Sequence, residues 1–114
     1  MPITTRVSLL RETPGAFETA VVELDDPRQG ELTVKLVATG LCHSDDHIAK
    51  GDLNAAHLPL VGGHEGAGVV TAVGPNTPGF EVGDHVVFSF LAACGVCEFC
   101  ARGMSNLCMK GSTI

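Results

Sequence analysis

From Glu31 to Ala38 apolar and polar positions alternate, with Leu32, Val34 and Leu36 on one face and Thr33 and Lys35 on the other. A period of two is that of a half-buried strand. Thr4 to Leu10 and Phe17 to Leu24 form similar short runs. Gly68 to Gly74 is rich in valine, Gly83-Asp84 reads as a turn, and His85 to Phe90 puts Val86, Phe88 and Phe90 on one face, so two more strands are expected there. Helical signals are scarce. The best spans Asp45 to Lys50, with Ser44 placed to cap its start and Gly51 to end it. Fourteen glycines and six prolines punctuate these runs, which favours a compact barrel or sandwich over a helical or doubly wound architecture. At 114 residues and 45% hydrophobic content the chain is sized for one domain with a core of its own. It shows no repeat, low-complexity tract or interdomain linker.

Charge narrows the set of partners. The formal charge is −6, and a zinc ion held by four thiolates would add two more negative charges. That balance opposes phosphate backbones and anionic membrane surfaces. No apolar run approaches the roughly 20 residues that span a bilayer, and neither a charged-then-apolar leader nor a lipidation motif is present. The expectation is a soluble, cytoplasmic protein that binds neither nucleic acid nor membrane.

The chemistry begins with Cys94, Cys97, Cys100 and Cys108, in a C-x2-C-x2-C-x7-C run. That spacing lets one loop wrap four thiolates around a single ion, and a closed four-thiolate shell is what zinc adopts in structural sites. Other readings compete. Disulfides need an oxidising compartment, and the chain has five cysteines, an odd number. An iron–sulfur cluster shares the C-x2-C-x2-C opening, but there the fourth cysteine follows after about three residues and precedes proline; here Met109 follows Cys108. A loop of free thiols gives no reason for the regular spacing. Two functional classes therefore stand beside an enzyme: a zinc-stabilised binding module, which would be colourless, and an iron–sulfur electron carrier, which would be brown.

A second constellation lies upstream. Cys42 stands in Gly40-Leu41-Cys42-His43-Ser44-Asp45, and His64-Glu65 in Gly62-Gly63-His64-Glu65-Gly66. A thiolate and an imidazole could share a metal, yet a catalytic zinc needs three protein ligands and an open position. Read alone, Cys42 is equally a small buried hydrophobe and His64 a hydrogen-bonded core histidine.

The blocks Gly40 to His47 (GLCHSDDH), Gly63 to Val70 (GHEGAGVV), Val82 to Val86 (VGDHV) and the four-cysteine loop, in that order, closely resemble the zinc-dependent alcohol dehydrogenases of the medium-chain dehydrogenase superfamily. The cysteine-loop phrasing is also similar to actinobacterial members that keep their nicotinamide cofactor tightly bound. The resemblance runs from the first strands to Ile114. It implies a mainly β fold, the GroES-like partly open β-barrel with short helices, carrying a zinc-binding cysteine lobe over about residues 91–111. It assigns Cys42 and His64 to a catalytic zinc and Cys94, Cys97, Cys100 and Cys108 to a structural one. Ser44 would take the proton of the bound alcohol and His47 would pass it towards solvent, a general-acid–base task. Asp45 would hydrogen-bond the free ring nitrogen of His64 and so fix its tautomer. Glu65 would lie just behind the metal, His43 would contact the cofactor's pyrophosphate, and Phe90 would wall the substrate pocket, although a strand-end aromatic also packs readily in a core. Asp46, His57 and His85 receive no task.

The implied reaction oxidises a primary or secondary alcohol to an aldehyde or ketone with NAD or NADP, in an enzyme that is a homo-oligomer at full length. Family members are much longer. Their third catalytic ligand, usually a cysteine, and their nucleotide-binding Rossmann domain would lie beyond Ile114. Gly66-Ala67-Gly68, with Thr71 at the last glycine position, leads into a strand and fails the dinucleotide fingerprint. Residues 1–114 are thus expected to be the GroES-like N-terminal domain alone, inactive by itself.

Overall fold

The computed structural model describes residues 1–55 and 57–111. Residues 112–114, the last of the expected domain, lie outside them. The chain forms β1 (Ile3–Leu10), β2 (Glu18–Leu24), β3 (Leu32–Thr39), α1 (His43–Lys50), β4 (Leu60–Val61), β5 (Gly66–Val73), β6 (His85–Val87) and α2 (Glu98–Ala101), followed by a 3₁₀ turn at Ser105–Leu107. The strands build two antiparallel three-stranded sheets, in the orders β2-β1-β4 and β3-β5-β6. Among the described residues no helix is long and apolar enough to cross a membrane.

The segments expected at Thr4 to Leu10, Phe17 to Leu24, Glu31 to Ala38 and Gly68 to Gly74 became strands within two residues of their expected bounds. Leu32, Val34 and Leu36 do share a face: with Val86 and Phe88 they line a cavity of about 430 Å³. Three features differ from expectation. The last strand stops at Val87, so Phe90 stands beyond it in a bend. Helix α1 begins at His43, and its N-cap is Cys42. Ser44 is therefore inside the first turn, and its hydroxyl donates to Cys42 Sγ at 3.2 Å rather than accepting from a backbone N–H of the first turn as a cap would. The cysteine loop contains α2 and the 3₁₀ turn, elements too short for any periodicity to show.

Gly51 ends α1 as expected. Its φ of 85° is left-handed, and its N–H reaches the carbonyls of His47 and Ile48. Glycine adopts that conformation without the steric cost a Cβ carries.

Among the described residues the buried apolar side chains are Leu9, Leu10, Ala49 and Val70, and of these Leu10 and Val70 are fully buried. Leu10 comes from the first sheet and Val70 from the second, while Ala49 tethers α1, whose carbonyl there accepts from the Gly15 N–H at 2.8 Å. Many large apolar residues remain in contact with solvent, including Val37 and Val87 at 78% exposure. The accessible surface is 8337 Å², against about 5,900 Å² for a compact monomer of this mass by the usual surface–mass scaling. The chain is thus much more open than a compact monomer of its mass.

Register irregularities interrupt the β3–β5 ladder between Thr33 and Val34 and again between Leu36 and Ala38. Bulges re-aim the chain. Beyond the second one, the Gly40 N–H donates to the Glu65 carbonyl at 3.2 Å, which brings the start of α1 beside the His64-Glu65 segment.

Candidate metal centres

The lobe assembles all four of its cysteines. The sulfurs of Cys94, Cys97, Cys100 and Cys108 lie within 4.8 Å of one another, all half-buried. Backbone amides point at them: Cys97 N–H donates to Cys94 Sγ at 3.3 Å, Cys94 N–H to Cys108 Sγ at 3.3 Å, Cys100 N–H to Cys97 Sγ at 3.5 Å and Lys110 N–H to Cys108 Sγ at 3.4 Å. Hydrogen bonds to sulfur favour the thiolate over the thiol. Those from the backbone of Cys100 and then Met109 pull the Cys97 thiol down to about 6, and the Cys94 amide acts likewise on Cys108. At Cys100 the Gly95 amide acts in the same direction, but desolvation and the neighbouring sulfurs outweigh it and push the thiol up to about 11. Four thiols this close cannot all ionise without a cation among them. The donor set fits one tetrahedral zinc.

The turns that build this lobe follow from its sequence. Gly95 and Gly103 both sit at φ 78°, and the sulfur of Cys97 caps α2 by accepting from Cys100 N–H.

The second centre is built from two segments. Cys42 enters from the helix cap, and His64 and Glu65 from the approach to β5. One donor atom from each lies within 4.8 Å of the others. The sequence pointed to two ligands here; the structure adds the Glu65 carboxylate as a third donor. Thiolate, imidazole and carboxylate together form a set that zinc accepts in open, three-ligand sites. Gly40 leaves room for the carboxylate in this position, since a Cβ on it would come 2.0 Å from Glu65 Oε2.

Around this centre stand the other expected residues. Asp45 Oδ1 lies 3.7 Å from His64 Nδ1, within ion-pair reach and longer than a hydrogen bond, both side chains being mostly buried. The Phe90 ring meets the His64 ring edge-on, centroids 4.5 Å apart, and is 64% exposed; it belongs to the site's rim and not to the core. His43 and His47 stack on each other on the outer face of α1, centroids 4.5 Å apart. His47 Nδ1 is 3.0 Å from Asp52 Oδ2. Behind the centre opens a cavity of about 330 Å³ whose lining includes Arg6, Phe17, Leu36, Leu41, His64 and Glu65.

Two residues escaped the sequence. Asp52 lies five positions after His47, outside the usual helical pairing distances of three and four, and reaches it only because Gly51 turns the chain back. Gly40 reads in sequence as one more turn glycine.

Residues 28–114 match the family described as the alcohol dehydrogenase GroES-like domain. The chain belongs to that family. It is 50% identical over 110 residues to the NDMA-dependent alcohol dehydrogenase of Amycolatopsis methanolica, covering 96% of this chain and 29% of that protein. It is 44% identical to alcohol dehydrogenase B of Mycobacterium tuberculosis, over 95% of this chain and 29% of the relative. Among solved structures, an alcohol dehydrogenase zinc-binding domain protein from Burkholderia ambifaria superposes with a TM-score of 0.89 at 39% identity, covering 97% of this chain and 30% of its own. Benzyl alcohol dehydrogenase from Acinetobacter calcoaceticus gives 0.86 at 36% identity, again over 97% and 30%. The two open sheets with short helices are thus the GroES-like fold of alcohol dehydrogenases, and the chain spans less than a third of the length of these relatives.

Proposed function

We propose that residues 1–114 are the catalytic-domain portion of a zinc- and nicotinamide-dependent alcohol dehydrogenase that oxidises a primary or secondary alcohol to an aldehyde or ketone. The observation that carries this reading is the convergence of Cys42, His64 and Glu65 into one three-donor group, with Ser44 hydrogen-bonded to its cysteine and His47 one helical turn further on. In this reading Cys94, Cys97, Cys100 and Cys108 hold a structural zinc, and the nucleotide-binding domain belongs to sequence outside these residues; Gly66 to Gly68 lie within β5 and open no helix.

When bound, zinc at the Cys42 centre supplies a Lewis acid that makes an alcohol hydroxyl more acidic, and the nicotinamide supplies the hydride acceptor. The chain's own residues manage the proton. For the relay the Ser44 O–H, which donates to Cys42 Sγ in this structure, turns toward His47, so that Oγ accepts the alcohol's proton as its own passes on; His47, with Asp52 at Nδ1, takes that proton at Nε2 and releases it to water from a half-exposed position. Asp45 stabilises the orientation of His64 from 3.7 Å. Phe90, on the open side of His64, excludes water and presents an apolar wall to substrate. His43, 76% exposed at the helix start, is placed to contact an anionic group of the cofactor.

An iron–sulfur carrier or a zinc-stabilised binding module leaves Cys42, Ser44, His64 and Glu65 without a task. The test joins this chain to the nucleotide-binding domain of a relative and follows NAD reduction with a panel of primary alcohols after zinc loading. The joined enzyme is expected to turn over, with Ser44→Ala reducing the rate about 10²–10⁴-fold, the usual range for general acid–base catalysis. An unchanged rate in that variant would remove Ser44 from the proton path, and a soluble, zinc-loaded fusion without turnover would contradict the proposal.

A further inference from the structure

Outside both thiolate-containing centres, α1 carries two imidazoles four residues apart. His43 and His47 lie on one face of the helix, their rings 4.5 Å apart and 18° from parallel, with side chains 76% and 44% exposed. We propose that this pair is a separate, exchangeable site for a late first-row divalent cation of the Ni²⁺, Cu²⁺ or Zn²⁺ class.

Spacing, hydrogen bonding and charge support it independently. Positions four apart on a helix are neighbours, and two histidines so spaced are the ligand pair that helical zinc motifs use. Asp52 Oδ2 faces His47 Nδ1 at 3.0 Å. It therefore accepts the Nδ1 proton and leaves Nε2 as an outward lone pair, which is how a carboxylate prepares a metal-binding imidazole. Asp46 Oδ2 lies 3.4 Å from His43 Nε2, an ion-pair contact that makes no hydrogen bond, so neither ring nitrogen of His43 is committed by it and either can turn its lone pair to a cation. The rings are stacked and do not converge on one point as they stand; His43, the more exposed of the two, is the one that turns about its terminal torsion to meet a cation at His47 Nε2, with water completing the shell.

The local charge is favourable. Asp46 and Asp52 flank the pair, and the ammonium within reach, Lys50, is already bound to Asp46 at 2.6 Å. Two imidazoles with water completing the shell suit borderline cations, whereas Mg²⁺ and Ca²⁺ demand oxygen ligands. Cys42, although adjacent in sequence, is directed to the other centre with His64 and Glu65. A cation on His47 Nε2 would occupy the lone pair that the proposed proton path uses, so an inhibitory role follows if that path is correct; the binding site itself does not depend on it.

The test uses the 114-residue chain carrying Cys42→Ser, which disables the neighbouring centre, with the cysteine lobe filled by zinc and excess metal removed. Ni²⁺ is titrated while imidazole resonances are followed by NMR. Paramagnetic broadening confined first to His43 and His47 is expected, with affinity falling about tenfold or more in His43→Gln and in His47→Gln, as loss of a metal contact commonly does. Mg²⁺ should produce no change at tenfold higher concentration. Circular dichroism shows whether each variant keeps its fold. Broadening that starts at His57, His64 or His85, or a nickel affinity unchanged in a folded His47→Gln chain, would overturn the proposal.

Discussion

A Cβ at position 40 would meet Glu65 Oε2, the mobile end of its side chain, at 2.0 Å, so the carboxylate would have to move to admit it. Gly40→Ala is therefore expected to displace the carboxylate and weaken metal binding at the Cys42 centre by about 10–100-fold, the range for disturbing groups that orient ligands, while the cysteine lobe keeps its zinc. Cobalt titration, read from the ligand-field spectrum, distinguishes the two centres. In the lobe the thiols begin from unequal states. Cys97, at about 6, is already a thiolate at pH 7.5, whereas Cys100, near 11, still holds its proton. Zinc uptake at that pH should accordingly release fewer protons than the four thiols could supply. Calorimetry in buffers of different ionisation enthalpy counts them. Zinc binds the deprotonated sulfurs, so its affinity is expected to fall as pH drops from 8 and to fall more steeply below 6, where Cys97 also takes up a proton.

At the scale of elements, the end of α1 is fixed by one backbone conformation. Gly51→Ala places a Cβ at φ 85° and is expected to cost about 1–2 kcal/mol, read as a lowered denaturant midpoint. Such features were legible in the sequence because glycine and the period-two alternation act locally. The strand faces of β3 and β6 and the cap at Gly51 all follow from residues within a few positions of one another. What escaped was non-local. The Ser44 hydroxyl looked like a cap because nothing in sequence shows that Cys42 already occupies that place, with its sulfur as the hydroxyl's acceptor. Phe90 fell in phase with Val86 and Phe88, yet pairing with β5 ends at Val87 and the chain turns, so its ring meets His64. Strand β4 is two residues long and exists only through its ladder with Leu9 and Leu10. That the four sulfurs of the lobe gather in one cluster was readable from spacing alone, since one loop supplies them all; the third donor of the Cys42 group depended on how two distant segments meet.

For the whole molecule the governing fact is surface. About 2,400 Å² of exposure beyond that of a compact chain of this size is comparable to a large protein interface, and apolar residues of both sheets contribute to it. The 114-residue chain alone is expected to bind an apolar dye strongly, and the chain joined to a nucleotide-binding domain to bind it weakly. Fluorescence titration compares the two. Stability of the chain alone should then rest heavily on the lobe, where structural zinc couples about 10–16 kcal/mol of binding to folding. The most direct measurement is elemental analysis of the purified chain and two variants after dialysis against a moderate chelator. Close to one tightly held zinc is expected in the wild-type chain and in Cys42→Ser, whose centre is open and exchanges its metal, and none in Cys97→Ser, which should also melt at a much lower temperature. Iron in place of zinc, or equal zinc retention and equal melting in the Cys97→Ser and Cys42→Ser variants, would contradict a closed structural site beside an open catalytic one.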